Sequence, residues 1–184
     1  ITIPSSVTTI GNQAFWSCTG LTSFTIPGNV TSIGDNAFDI CTKLKTFTVA
    51  DANPNYSSYE GVLFNKDKSV LIAYPNSKSS IYTIPSSVKT IGNNAFGSCY
   101  GLANVVIGNN VTSMGTGAFY NCNGLVSVSI GSGITAIGND VFHNCYNLSS
   151  ITIPDNVTTI GQNAFGYCTG LTSVNLGKGI TSID

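Results

Sequence analysis

The six cysteines of this chain stand at Cys18, Cys41, Cys99, Cys122, Cys145 and Cys168, and every interval but one is 23 residues. The exception, 58 residues, equals two periods plus twelve. A fixed period of about 20 to 29 residues with regular apolar positions marks a solenoid, because one such unit buries its apolar face only against its neighbours. The comb therefore dictates stacking before any element is assigned.

Aligned on the cysteines, Ile10–Ser32, Ile91–Ser113, Met114–Ala136, Ile137–Thr159 and Ile160–Ser182 superimpose without insertion or deletion. They share the pattern I-G-x-x-A-F-x-x-C-x-x-L-x-x-Φ-x-I-P/G-x-x-V-T-x, where Φ is Phe, Val, Ile or Tyr. Within a unit, Leu21-x-x-Phe24-x-Ile26 alternates as a strand does. Pro27-Gly28-Asn29 turns the chain, and Val30–Ile33 reads as a second short extended segment. Gly34-Asp35-Asn36 suits the start of a single helical turn carrying Ala37, Phe38 and Cys41, since Asp and Asn cap exposed amides. Phe38 and Cys41, three apart, would share one face of that turn.

The expected fold is a β-rich α/β repeat solenoid, one domain over residues 1–184, with parallel strands and short helical turns. About seven coils at about 4.8 Å spacing make a rod of roughly 35 Å. The chain opens in mid-unit at Ile1–Thr9 and closes on Ile183-Asp184. Neither end reads as a polar cap, which solenoids need, so part of a longer chain is expected.

One coil is irregular, over residues 53–90. Val62-Leu63-Phe64 and Val70–Tyr74 flank the polar run Asn65-Lys66-Asp67-Lys68, a β-hairpin pattern. This coil lacks the cysteine, and Asp67 falls near its expected place. Six of the seven lysines lie between Lys43 and Lys89. The insertion reads more plainly as a solvated rim loop than as a binding loop, because long surface loops cost little and mixed charges mark a solvated face.

Composition narrows the function. Only 8% of residues are charged, there is no arginine, and the net charge is −1. Nucleic-acid binding rests on clustered Lys and Arg, so no nucleic-acid partner is expected. No run reaches the ~18 apolar residues of a membrane span, so no membrane insertion of this segment is expected.

The G-x-x-A-F-x-x-C-x-x-L-x-x-Φ-x-I-P-x-x-V-T-x-I-G unit resembles the BspA-like class of leucine-rich repeats over essentially the whole chain. The segment NPNYSSYEGVLFNKDKSVLIAYP also resembles an irregular unit of that family. The resemblance implies a right-handed leucine-rich-repeat superhelix from a surface or secreted protein, of a kind associated with attachment to host proteins and with microbial aggregation. It implies no catalytic residues and no cofactor.

Six cysteines in a small exported protein would ordinarily form disulfides. Their identical repeat position points instead to a column of buried free thiols, Cys being among the most buried residue types. Metal ligation fits poorly: ligands 23 residues apart form a line rather than a tetrahedron, and no CxxC pair exists. His143-Asn144-Cys145 invites a Cys–His nucleophile reading, but Cys145 holds the core position and His143 an exposed, variable one.

The residues that vary from unit to unit are the candidate partner-binding set. Trp16, Tyr100, Tyr120, His143, Tyr146 and Tyr167 occupy neighbouring outward positions of successive turns. Exposed aromatics in a row make good anchors for an extracellular or cell-surface protein or glycan. The second candidate is the main-strand face: Ser23, Thr25, Thr46, Thr48, Asn104, Val106, Ser127, Ser129, Ser150, Thr152, Ser173 and Asn175. Leucine-rich repeats commonly bind through this concave face, and here it offers hydroxyls with little electrostatic steering.

A third column, Thr8, Thr31, Lys89, Thr112, Thr135, Thr158 and Thr181, resembles the threonine arrays of ice-binding solenoids, although threonine favours strands in any case. Sequons begin at Asn29, Asn55, Asn110, Asn147 and Asn156, which a eukaryotic secretory route would read as glycan acceptors. The function expected is non-enzymatic adhesion at the cell surface or after secretion. A display rod without its own partner is the alternative, and an ice-binding or carbohydrate-binding solenoid a lesser one.

Overall fold

The computed structural model describes all 184 residues, in seventeen short β-strands. Fifteen of them line up in two parallel ladders. The main ladder contains Ser23–Ile26, Thr46–Val49, Ile81–Thr83, Asn104–Ile107, Ser127–Ile130, Ser150–Thr152 and Ser173–Asn175. The second contains Thr9–Ile10, Ser32–Ile33, Val70–Ala73, Thr90–Ile91, Ser113–Met114, Ala136–Ile137, Thr159–Ile160 and Ser182–Ile183. Eight passes through the second ladder make eight turns rather than about seven, because the opening half-unit contributes a pass of its own at Thr9–Ile10. The register sets like upon like: Ser23 pairs with Thr46, Phe24 with Phe47, and Asn104 with Ser127.

The helical turns expected between the ladders are absent, and each arc is built from backbone turns instead. Ala14 N–H donates to Gly11 O at 3.3 Å and Cys18 N–H to Phe15 O at 3.2 Å. The third residue of each such turn has positive φ, +57° at Gln13 and +59° at Ser17. That is the conformation a type II turn requires. The pattern recurs at Asn94 and Ser98, Asp140 and Asn144, and Asn163 and Tyr167. The asparagines read as helix caps are thus tolerant turn residues in a left-handed conformation. A helix would point its amides along its own axis; here they reach the next coil. Phe15, Phe96 and Phe119 each donate across to Ala37, Ala118 and Val141 at 2.8 Å.

The enlarged coil is a three-stranded meander. Tyr56–Tyr59 pairs antiparallel with Val62–Asn65 through Glu60-Gly61, both at positive φ (+48° and +76°). Such a two-residue turn matches strand twist. Val62–Asn65 then pairs antiparallel with Val70–Ala73, which rejoins the second ladder beside Thr90–Ile91. Gly61 permits a close approach: a Cβ there would lie 2.6 Å from Thr46 Oγ1, and Gly61 O accepts the Phe47 amide at 2.8 Å.

Val62, Leu63 and Phe64 are all fully buried, so this strand has apolar neighbours on both faces. Leu63 joins a core running from Ile10 to Phe47, whereas Val62 and Phe64 join the larger core that runs to Cys168. The inserted strand is a wall across the solenoid.

Asp67 does not stand in for the missing cysteine. It lies on the rim, accepting from the amide and hydroxyl of Ser69 at 3.0 and 2.6 Å, and those bonds hold its carboxyl below the usual carboxylate range. Asn76, 23 residues before Cys99, takes the place instead. It is buried, and its Nδ2 donates to Gly97 O and Ser98 O at 2.9 and 3.0 Å. Asn53 likewise takes the column position of Val30. Its Nδ2 donates to Pro27 O and Val30 O at 2.7 and 2.9 Å, and its Oδ1 accepts from the amides of Asn55 and Tyr56. Both side chains satisfy backbone groups that the broken ladder would otherwise orphan.

Candidate binding surfaces

The thiols lie inside the stack, except that Cys18 in the first arc is half-buried. Each inner Sγ donates to a carbonyl of the preceding coil: Cys41 to Phe15 O at 3.2 Å, Cys122 to Phe96 O at 2.9 Å, Cys145 to Phe119 O at 3.3 Å and Cys168 to Phe142 O at 3.0 Å. Cys99 reaches Tyr74 O at 3.7 Å. Burial pushes the Cys41 thiol up to about 11 and the Cys122 thiol up to about 12, so neither is a nucleophile near neutral pH.

The six outward aromatics do not form one row. Tyr120 and His143 stack with centroids 5.3 Å apart and planes 8° apart, and Tyr167 meets His143 edge-on at 5.2 Å and 68°. His143 is less exposed than its variable position implied: its side chain is 15% accessible, held between the two tyrosines with Asp140 Oδ1 3.6 Å from Nδ1. Gly166 makes room for it, since a Cβ there would sit 2.7 Å from Nδ1. Tyr100 and Tyr146 stand three positions further along the arc than Tyr120 and His143, Tyr100 Oη accepting from Asn121 Nδ2 at 3.2 Å and Tyr146 Oη donating to Asn144 Oδ1 at 3.3 Å. Trp16 is exposed but isolated in the first arc, because its counterparts in the next arcs are Asp39 and Gly97.

On the main-strand face, Ser23 and Thr25 align with Thr46 and Thr48, Asn104 with Ser127, and Ser150 and Thr152 with Ser173 and Asn175. Val106, Ser127, Ser129, Ser150 and Thr152 line an open trough ending at Pro154. The sequence reading missed Ile81 and Thr83, which align with Asn104 and Val106, and Ile81 is one of the most exposed apolar residues. Ile81 has no special motif; only its register places it there.

The threonine column is exposed, but four of its hydroxyls are taken up along the stack. Thr31, Thr112, Thr158 and Thr181 donate their hydroxyls to the carbonyls of Thr8, Lys89, Thr135 and Thr158 at 3.1 to 3.3 Å. Those protons are therefore not offered to a lattice of water. Among the sequons, the Asn55 and Asn110 amides each donate to the preceding coil at 3.0 Å, as do those of Asn29 and Asn156, while Asn147 is exposed and makes no such bond.

A solenoid of parallel ladders with these columns defines a class, the leucine-rich repeat. The chain belongs to the BspA-type leucine-rich-repeat family, whose model matches six copies over residues 1–81 and 72–184. It is similar to a leucine-rich cell surface protein from Faecalibacterium prausnitzii, at 35% identity and a TM-score of 0.83, covering 95% of this chain and 52% of that one. It also resembles the pneumococcal vaccine antigen PcpA (29% identity, TM-score 0.82, 89% and 42% covered). A leucine-rich repeat protein from Eubacterium ventriosum is a further relative (28% identity, TM-score 0.76, 97% and 55% covered). The chain spans about half the length of these proteins. No curated protein matches it.

Proposed function

We propose that the chain is a non-enzymatic binding module, displayed at the cell surface or secreted, that contacts extracellular proteins or glycans. The Tyr120–His143–Tyr167 ladder carries the reading: three rings from successive coils make one continuous, rigid aromatic edge. Aromatic rings bring large contact area with few rotors to freeze, which is what interface anchors need. The cell-surface description of the Faecalibacterium relative supports the location. Against catalysis, Cys145 Sγ is directed at Phe119 O rather than toward His143. The test is an array of extracellular-matrix proteins, glycans and cell surfaces probed with the chain and with a Tyr120→Ala, His143→Ala, Tyr167→Ala variant. Binding that falls at least about tenfold in the variant supports the ladder. Binding to nothing leaves a display rod as the better account, and undiminished binding by the variant moves the contact to another surface of the chain.

A further inference from the structure

The one interruption of the stack opens hydrogen-bonding groups that regular coils satisfy. In the first arc the amides of Gln13, Phe15 and Ser17 donate to the carbonyls of Asp35, Ala37 and Asp39 at 3.0, 2.8 and 2.8 Å. Asn94, Phe96 and Ser98 do the same to Thr116, Ala118 and Tyr120. The arc Asp35–Ile40 faces the enlarged coil, whose Ile72–Asn76 segment makes no hydrogen bond to it, because Ile72 and Ala73 lie in the strand paired with Val62–Asn65 and the rest of the segment bonds toward the following coil. Tyr74 N–H donates to Ala95 O at 2.7 Å, and Asn76 Nδ2 donates to Gly97 O. Ile40 N–H therefore folds back onto Asp39 Oδ1 at 2.9 Å. Asn36 N–H and Phe38 N–H have no acceptor, and Asn36 Oδ1 is buried without a partner. Asn12 and Asn93, at the position of Asp35, each accept an amide of the following coil at 3.0 and 3.1 Å. The Asp35 carboxylate has none to accept.

These groups line a partly open cavity of about 160 Å³ between Gly34–Asp39 and the segments Ile72–Asn76 and Gly92–Gly97. Ala37, Phe38, Ile72 and Ala73 supply its apolar wall. Asp39 approaches Gly97 across the cavity, for a Cβ on Gly97 would lie 3.3 Å from Asp39 Oδ1. A space of about 160 Å³ suits a small terminal group rather than a length of peptide strand.

We propose that this cavity binds the acetamido group of a neutral N-acetylhexosamine on a glycan. The acetamido carbonyl accepts from Asn36 N–H or Phe38 N–H, its N–H donates to the Asp35 carboxylate or to Asn36 Oδ1, and its methyl packs on Ala37 and Ala73. Carboxylates at Asp35 and Asp39 disfavour anionic sugars. Sites that hydrogen-bond a ligand's polar atoms reject analogues lacking them, because the site's own groups are then left unpaired. The cavity shares no lining residue with the aromatic ladder, although Gly97 stands one coil before Tyr120 in the same column, so variants at Asp35 and Ala73 test it separately.

The test follows the Asn36 and Phe38 amide resonances of the labelled chain during titration with N-methylacetamide, N-acetylglucosamine, its trimer and glucose. Saturable shifts with the three acetamido compounds and none with glucose are expected. Ala73→Leu, which fills the cavity, and Asp35→Ala, an exposed change that leaves the core alone, should each weaken binding at least about tenfold. Equal shifts with glucose, or shifts with N-methylacetamide but not with the sugars, overturn the proposal. So does silence with every probe, which would leave ordered water as the occupant.

Discussion

The stretches on either side of the inserted wall are built from the same repeat yet pack differently. Toward the C-terminus, Phe96, Phe119, Phe142 and Phe165 form a single column of near-parallel rings, 4.7 to 5.5 Å apart and within 13°. Toward the N-terminus, Phe15, Phe24, Phe38 and Phe47 make a herringbone. Phe15–Phe24, Phe24–Phe38 and Phe38–Phe47 meet edge-on at 62°, 63° and 69°. One position explains it. The Φ residue of the main strand is Phe24 or Phe47 in the first region and Val105, Val128 or Ile151 in the second. A second ring per coil in the same cross-section forces edge-to-face contacts, which the aromatic quadrupole favours. Phe15 and Phe38 of the arc column still stack, 5.7 Å apart and within 2°, so the repeat unit fixes how that column's rings lie and the neighbouring column only adds edge-on partners.

The comparison would break most visibly at the wall itself. Leu63→Ala should cost about 2–5 kcal/mol and Phe64→Ala about 3–5 kcal/mol, each leaving a cavity in a different core. Amide exchange should then loosen Ile10–Phe47 in the first variant and the stretch from Val62 to Cys168 in the second. Equal loosening of the whole chain by both would show that the two cores unfold as one.

A smaller effect is expected where asparagines replace column residues. Asn53→Val restores the column hydrophobe but orphans the carbonyls of Pro27 and Val30 and the amides of Asn55 and Tyr56. Denaturant melts should show a loss of about 1–3 kcal/mol rather than a gain. Ile40→Asn works in the other direction. Ile40 is a β-branched residue at φ +57°, where the other arcs carry Ser17, Ser98, Asn121, Asn144 and Tyr167. Relief of that strain should stabilise the N-terminal region by roughly 1 kcal/mol, read as a higher denaturation midpoint.

The last expected effect is silent at neutral pH and appears only in alkali. Burial holds the Cys41 and Cys122 thiols protonated up to about 11 and about 12, whereas unfolded thiols ionise near 9. Stability is therefore complete below about pH 9 and declines as pH rises toward 11–12, because the unfolded chain releases its protons first. A Cys41→Ala, Cys122→Ala variant should show a shallower fall in Tm between about pH 8 and about pH 11. A residual slope should persist, since burial also raises the Tyr74 and Tyr82 phenols. In the parent chain a thiol reagent should reach Cys18 first.

Much of this architecture was legible in the chain because a repeat reports its own register. The 23-residue comb gave parallel pairing of like with like, the inward columns and the place of the irregular coil. The arcs were misread because Asp and Asn serve equally as helix caps and as positive-φ turn residues, and six residues cannot separate the two. The first hairpin, turning on Glu60-Gly61, was missed because Asn-Gly and Asp-Gly are the strong signals for such a turn. Ile81 and the cavity beside Asn36 had no local signal at all.

The sequence alone determined which residues face inward, since in a repeat every column is written many times over and burial follows from the period. The tertiary structure alone decided what happens where the period fails. Whether Val62–Phe64 becomes a rim loop or a buried wall depends on apolar surface offered by coils on both sides. Whether Asn36 N–H finds an acceptor depends on a segment that arrives some forty residues later. Those outcomes rest on closing specific hydrogen bonds in space, and no periodicity encodes them.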